Sequence, residues 1–378
     1  MASRVSAVLD GLGVVRSVRR FAAPGQYLQG PGVLDDLGAV VADVGTAPIV
    51  VIDAAVADLF GSRVQASLAS AGLRAQVLPV SGPVTRNAIA STLDLVTGGG
   101  DVVVGIGGGK ALDIAKGVAA HLDRPMVSVP TVASNDGPTA SVFALYDELG
   151  RLSELGRLPT NPAAVLVDTA VIAKAPIRFL ISGVGDALAK RYEARSCARG
   201  SGVTTQGTRP LAIGEVIATG CSRILLRDGE TAIRDAIAGS VTPELEAVVE
   251  AVILLSGIGY ENGGLSIAHC MTRGLQVGRG SARHLHGYHV AYGLLVQLAL
   301  EDDAEVDRGE IRRFLTAVGL PTRLADLDMA DPSAAEIEAL AVAAASAPHV
   351  ANTWVDASAA SIIAAIRQVE QEADTGDN

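Results

Sequence analysis

The stretch Asp101–Lys116, DVVVGIGGGKALDIAK, constrains this chain more than any other. Three consecutive β-branched residues, Val102–Val104, read as a strand buried on both faces. Gly105, Gly107, Gly108 and Gly109 follow with almost no side-chain bulk, and Ala111–Ala120 continues in strong helix formers. A strand, a glycine turn and a helix start together make an anion site: bare N–H groups and the positive helix end face a phosphate, and no Cβ blocks its approach. Two better-known patterns do not fit. GxGxxG requires glycine where Lys110 stands, and a Walker A loop requires glycine and Ser or Thr where Val104 and Ala111 stand. On spacing alone the segment also suits a turn that binds nothing. One detail favours a ligand: the chain has four lysines against 26 arginines, and Lys110 and Lys116 both lie here.

Around this stretch, strand and helix patterns alternate. Pro48–Asp53, Arg74–Val80, Pro125–Pro130, Ala140–Asp147 and Ala163–Asp168 read as strands, with helices to about Ala71 and over Val84–Thr97. Phe21–Gly38 reads as turns at Pro24–Gly25 and Gly30–Pro31–Gly32 followed by a short helix. Alternation to about residue 170 predicts an α/β, doubly wound parallel sheet. In such sheets ligands lie beyond the carboxyl ends of the strands. Asp53, the glycine turn and the polar loop Thr131–Pro138 all fall at such ends. An acidic residue closing a strand beside a nucleotide site pairs with an adenosine ribose, so Asp53 favours NAD over NADP.

From Ile177 onward the pattern is helical, which predicts an all-α C-terminal domain over 176–378 after an NAD-binding domain over 1–175. Lys174–Pro176 marks the boundary. Thr242–Pro243–Glu244 is a helix start leading into a long apolar helix that Gly257 and Gly259 close. His286–Leu300 and Glu336–Ala347 are further helices, and the last ten or so residues, acidic and polar, are expected to fray.

A net charge of −11 repels a nucleic-acid backbone. The arginine clusters near 16–20 and 191–199 read as solvated helix faces and subunit contacts. Cys197, Cys221 and Cys270 are too scattered for a disulfide framework and fit a reducing compartment. The start lacks a signal-peptide pattern, and no charge-free apolar run reaches the ~18 residues that span a bilayer. These features predict a cytoplasmic protein with neither nucleic-acid nor membrane partners.

Three of the six histidines lie within His284–His289, and His269 stands on the preceding helix pattern, SIAHCMTRGL. Gly183–Asp186, GVGD, reads as a helix start with its carboxylate in the first turn. One carboxylate and two imidazoles on three helices suit a metal with open coordination positions. The same residues equally suit two hydrogen-bonded core histidines and a helix cap.

PGQYLQGPGVLDDLG, GIGGGKALDIAK, PTVASNDGPTA, NPAAVLVDT, SGVGDALAKRYEA, GYENGGLSIAH, HGYHVAYGLLVQLALE and LTAVGLPTRLADL occur in that order. Over residues ~20–330 they resemble the glycerol dehydrogenase branch of the metal-dependent alcohol dehydrogenases. The resemblance implies a cleft between an α/β dinucleotide domain and a helical domain, and a homo-oligomer. It implies that Asp186, His269 and His286 are metal ligands, for zinc or ferrous iron. It implies NAD contacts at Asp53, at Gly107, Gly108, Gly109, Lys110 and Asp113, and at Thr131, Ser134 and Tyr146. Asp136 matches the carboxylate that holds substrate hydroxyls. Together these imply hydride transfer between NAD and a small polyol, with Asp136, Asp186, His269 and His286 as its catalytic set.

The family usually reads HGEKVAFG after the second histidine ligand, whereas this chain reads HGYHVAYG. Tyr288 and His289 therefore replace an acidic and a basic residue, which points to a changed substrate. His289, one turn after His286, is expected to face substrate or support the metal. Arg279, Arg283 and His289 also suit a phosphorylated polyol, the reading of a glycerol-1-phosphate dehydrogenase. A dehydroquinate-synthase-like cyclase shares the GGG turn but places glutamate at the first ligand position, against which Asp186 counts.

Overall fold

The computed structural model describes residues 18–147 and 151–375. Its apolar runs become strands β1 (Gln26–Gly30), β2 (Pro48–Asp53), β3 (Gln76–Val80), β4 (Val102–Gly107), β5 (Met126–Pro130) and β8 (Ala164–Asp168). They form one parallel sheet in the order β1-β8-β5-β4-β2-β3. The continuous Val/Ile runs take the central places and are buried, while the edge strands β1 and β3 are partly exposed. Helices α1 (Leu37–Ala42), α2 (Ala54–Ser70), α3 (Arg86–Asp94), α4 (Gly109–Leu122) and α5 (Thr169–Ile172) complete this α/β domain. Connections leave β2 toward β3 and leave β4 toward β5, so the switch point lies between Asp53 and Gly107 at the strand ends.

Three local readings change. The turn-rich Phe21–Gly38 contains β1, which pairs with β8 over Gln26–Gly30. Its pairing partner lies over 130 residues away, so no short-range pattern announces it. The strand at Val142–Tyr146 (β6) is one arm of an antiparallel hairpin with β7 (Leu152–Arg157), whose polar outer face hides a strand pattern. The helix after the glycine turn begins at Gly109, and Gly105 belongs to β4.

Past Lys174–Pro176 the described chain is helical: α6 (Arg178–Arg199), α7 (Ala212–Ile237), α8 (Pro243–Glu250), α9 (Ser256–Gly263), α10 (Ile267–Leu275), α11 (His286–Glu301), α12 (Arg308–Ala317), α13 (Ala334–Ala345) and α14 (Ala359–Thr375). One apolar core joins α6–α8 and α10–α14 to Val165 and Val167 of β8, so the helices pack directly on the sheet, while Tyr260 of α9 packs with Ala140 and Leu265. Helix α14 runs to Thr375, and the last three of the ten residues expected to fray lie outside the described residues. The helix from Pro243 does not close at Gly257 and Gly259. It passes through a π-helical turn, Ala251–Leu255, and ends at Gly263 before Gly264, whose φ is +96°. Gly257 is instead where this helix meets the loop after β5: a Cβ there would collide with the Thr139 hydroxyl. No helix of the described residues is long and apolar enough to cross a membrane. Arg16 of the 16–20 cluster lies outside the described residues.

Candidate active site

The coenzyme-side candidates sit at the carboxyl ends of β2, β4 and β5. Gly107 ends β4 with φ +145°, and a Cβ there would stand 2.9 Å from the Cβ atoms of both Asp53 and Ala111. Only glycine lets strand, helix and neighbouring strand converge this closely. Gly108 caps the 14-residue α4 without a side chain, so the cap supplies no hydrogen bond to the first-turn N–H groups. Asp53 Oδ1 accepts from Ala55 N at 3.0 Å and Val56 N at 3.4 Å, capping α2. Thr131 N donates to Gly107 O at 3.1 Å, drawing the loop after β5 over the turn.

The two lysines of this stretch part company. Lys110 is exposed, whereas Lys116 is fully buried and donates to Gly137 O at 2.6 Å and Val142 O at 2.9 Å. Lys116 therefore ties α4 to the loop that carries Asp136. Asp113 Oδ2 accepts from Ala144 N at 3.1 Å, and burial raises its carboxyl against the pull of Lys116. Tyr146 lies beside it, its phenol pushed up by burial and then by Asp113.

The second cluster is assembled from distant segments. Asp186, His269 and His286 stand on α6, α10 and α11, and one ligand atom from each lies within 4.8 Å of the others. His269 Nε2 is 3.3 Å and His286 Nε2 3.6 Å from Asp186 Oδ1. Asp186 lies in the third turn of α6 rather than the first, because the helix begins at Arg178. The glycines of GVGD therefore do not start the helix; they let it approach its neighbours. A Cβ on Gly185 would fall 2.5 Å from Gly287 O, and one on Gly183 would collide with Ala133 O. A Cβ on Gly287 would run into the Ser182 carbonyl, and Gly287 N donates to Ser182 Oγ at 3.1 Å. Ser182 Oγ in turn lies 3.2 Å from Ser134 O, so the same contact joins the metal-side helix to the coenzyme-side loop.

Around the cluster the charges are paired. Glu193 Oε2 accepts from His269 Nδ1 at 2.7 Å, and its Oε1 accepts from Ser266 N and His269 N. The acceptor-only carboxylate fixes Nδ1 as the protonated nitrogen and leaves Nε2 toward Asp186. Burial alone would lower the His269 pKa; Glu193 and Asp186 outweigh it and raise it to about 9. Burial likewise opposes the Asp186 carboxylate, yet Lys190, His269 and His286 hold it well below the usual range. Asp136 Oδ2 accepts from Ser256 Oγ at 3.0 Å, the first residue past the π-turn, and lies 3.2 Å from Lys190 Nζ. Burial raises the Asp136 carboxyl, with Lys190 opposing.

A divalent ion fits this set. The donors are one carboxylate and two imidazoles, and buried Asp186 Oδ2 has no hydrogen-bond partner. Lys190 and Glu193 escaped the sequence reading, although both follow Asp186 at i+4 and i+7, on one helix face. A scarce residue placed one turn after a candidate ligand was the available signal.

His289 is not brought to the cluster. It is 3% exposed and its Nε2 pairs with Ser281 O at 2.7 Å, holding the segment before α11. Arg279 is taken up by Glu336 and Ala330 O, so two of the three groups suited to a phosphate are engaged elsewhere.

A sequence profile of the family described as iron-containing alcohol dehydrogenase matches residues 28–176. The chain is 38% identical to a glycerol dehydrogenase of Pseudomonas putida, across 85% of this chain and 89% of that one. It is 36% identical to a glycolaldehyde reductase of Halobacterium salinarum, across 86% and 89%. The crystal structure of a glycerol dehydrogenase from Schizosaccharomyces pombe superposes with a TM-score of 0.91 at 31% identity, covering 96% of this chain and 94% of that one.

Proposed function

The chain belongs to the iron-containing alcohol dehydrogenase family as a glycerol dehydrogenase-like member, and from that premise we propose which of its residues carry the reaction. It is a metal-dependent polyol dehydrogenase: the substrate carbon gives a hydride to NAD, the hydroxyl proton is released, and a carbonyl remains. Asp186, His269 and His286 hold the metal, which we assign as zinc. A zinc ion there would supply Lewis acidity, lowering the pKa of a substrate hydroxyl toward neutrality. The observation that supports the assignment is the convergence of one ligand atom each from Asp186, His269 and His286 within 4.8 Å.

Asp136, which Lys190 joins to Asp186, accepts a hydrogen bond from a second substrate hydroxyl, which selects polyols and diols over simple alcohols. Glu193 keeps His269 in the tautomer that presents Nε2. Gly107, Gly108 and Gly109 let the coenzyme pyrophosphate approach the start of α4, and Asp53 accepts from the adenosine ribose. Lys110, Asp113, Thr131, Ser134 and Tyr146 line the rest of the coenzyme's path. Shape and exclusion of water supply the remainder of the rate.

The test is direct. Purified enzyme is assayed for NADH formation on glycerol, other small diols, glycolaldehyde in reverse, and glycerol phosphate, each with NAD and NADP. His269→Ala and His286→Ala are expected to lose bound zinc and turnover together, by about 1,000-fold or more in kcat/KM. Either variant keeping full rate without metal defeats the assignment. A preference for glycerol phosphate would replace the free polyol with its phosphate ester.

A further inference from the structure

The metal reading leaves the strongest charge in the site without a role. Lys190 is 1% exposed, and its Nζ lies 2.6 Å from Asp186 Oδ1, 3.2 Å from Asp136 Oδ2 and 3.2 Å from His269 Nε2. It also stands 5.7 Å from the centre of the Tyr260 ring. Those partners are not incidental. Asp186 Oδ1 is the oxygen nearest both imidazoles, and His269 Nε2 is the nitrogen that Glu193 leaves unclaimed.

We propose that the Lys190 ammonium is a resident counter-cation occupying the metal locus, so that a divalent ion enters by displacing it. The proposal rests on the assignment of Asp186, His269 and His286 as the metal's holders. Nζ lies 2.6 Å from Asp186 Oδ1 and 3.2 Å from His269 Nε2, the atoms a metal would take, so the ammonium and a metal cannot share that place. Two positive charges on one carboxylate oxygen in a buried site also repel strongly. Displacement needs little rearrangement. Lys190 follows Asp186 by one helical turn, and its four-carbon stem lets the ammonium swing while Asp136 still pairs with it.

This exchange accounts for a feature the metal alone does not. Asp136, Asp186 and Glu193 bring three buried or nearly buried carboxylates together, and an empty site without a cation would leave them mutually repelling. Lys190 ties α6 to α10 and to the loop carrying Asp136 before loading. Once displaced, it stays beside Asp136, where substrate hydroxyls arrive.

The experiment compares chelator-stripped wild type with Lys190→Met and Lys190→Arg, using zinc alone as the probe. Zinc affinity is measured by competition with a chromogenic chelator, and thermal unfolding is followed with and without zinc. Lys190→Met is expected to bind zinc about tenfold or more tighter, because no cation has to leave. Its metal-free form is expected to melt lower than wild type, and its zinc-induced rise in Tm to be larger. Lys190→Arg, which keeps the charge, is expected to bind zinc no tighter than wild type. A purely structural lysine would lower stability with and without zinc alike and would never tighten zinc binding. Lys190→Met binding zinc no tighter than wild type overturns the proposal. Should that variant fail to fold without metal, a crystal structure of zinc-loaded wild type decides. Nζ is expected beyond about 3.5 Å from Asp186 Oδ1, and Nζ still bonded to that oxygen overturns the proposal. Wild type taking up no zinc at all would sink the metal assignment itself, and this inference with it.

Discussion

The two parts of the proposed site are built by opposite means. On the coenzyme side, one continuous stretch from Val102 to Leu122 supplies strand, turn and helix, and what it offers is backbone with the side chains removed. On the metal side, three side chains come from helices 83 and 17 residues apart, and backbone matters only where glycine lets those helices touch. A contiguous site tolerates movement of its surroundings, because its parts move together. A convergent site depends on every helix contact that brings it together.

That difference is testable by placing one methyl group on each side. In Gly287→Ala the new Cβ meets the Ser182 carbonyl, and backbone against backbone has no flexible end to yield. The expected result is a stability loss of about 2–3 kcal/mol and zinc binding weakened about 100-fold or more as His286 is pushed from Asp186. NAD binding, measured by fluorescence titration of the folded fraction, should change far less. Gly107→Ala should do the reverse. With φ at +145° and a Cβ 2.9 Å from Asp53 and Ala111, it costs about 1–3 kcal/mol of strain at the turn. NAD should bind about tenfold or more weaker with zinc content unchanged. If either variant damages both ligands equally, the two sides are one cooperative unit and the contrast fails.

A smaller effect separates the metal's ligands from their supports. Glu193 is fully buried and donates nothing to the metal cluster, yet it fixes the orientation and tautomer of His269. Glu193→Gln keeps the shape and removes the charge. Zinc affinity should fall about 10- to 100-fold, with kcat/KM following at subsaturating zinc. Unchanged zinc affinity would make Glu193 a packing residue, and the convergent site would then consist of three side chains alone.

How much of this was legible beforehand follows the same division. The coenzyme side declared itself in order, because a valine run, a glycine turn and helix formers are short-range signals; only the bounds moved, with β4 running on to Gly107 and the helix starting at Gly109. The central strands were equally plain, because burial on both faces demands unbroken apolar runs. Strand β1 was not, since an edge strand needs no such run and owes its existence to β8. On the metal side, composition and spacing could name histidines but not show that they meet. That Asp186 sits mid-helix, and that Gly183, Gly185 and Gly287 serve helix contacts, are facts of three-dimensional approach with no local pattern. The HGYH segment misled for the same reason. Spacing places His289 one turn from His286, but it cannot show which neighbour the side chain bonds, and here Nε2 pairs with Ser281 O.

His289 therefore gives the mildest test, of which parts of α11 belong to the site. Burial lowers its pKa to about 4, with His286 and His284 adding repulsion and the bond to Ser281 O opposing. The unfolded chain takes up a proton near the ordinary histidine value of about 6.5, whereas the folded protein resists until about 4. Between those values the unfolded state binds more protons, so stability falls as pH falls through that window and is unaffected above it. The loss amounts to about 2–3 kcal/mol by pH 4. His289→Gln, which retains a donor for Ser281 O, should flatten the fall in urea-unfolding free energy between pH 6.5 and pH 4.5. At pH 7.5 its zinc content and its KM for polyol should match wild type, because the side chain faces away from both. A raised KM with an unaltered acid slope would return His289 to the substrate, and the metal side would then extend one turn further along α11 than its geometry indicates.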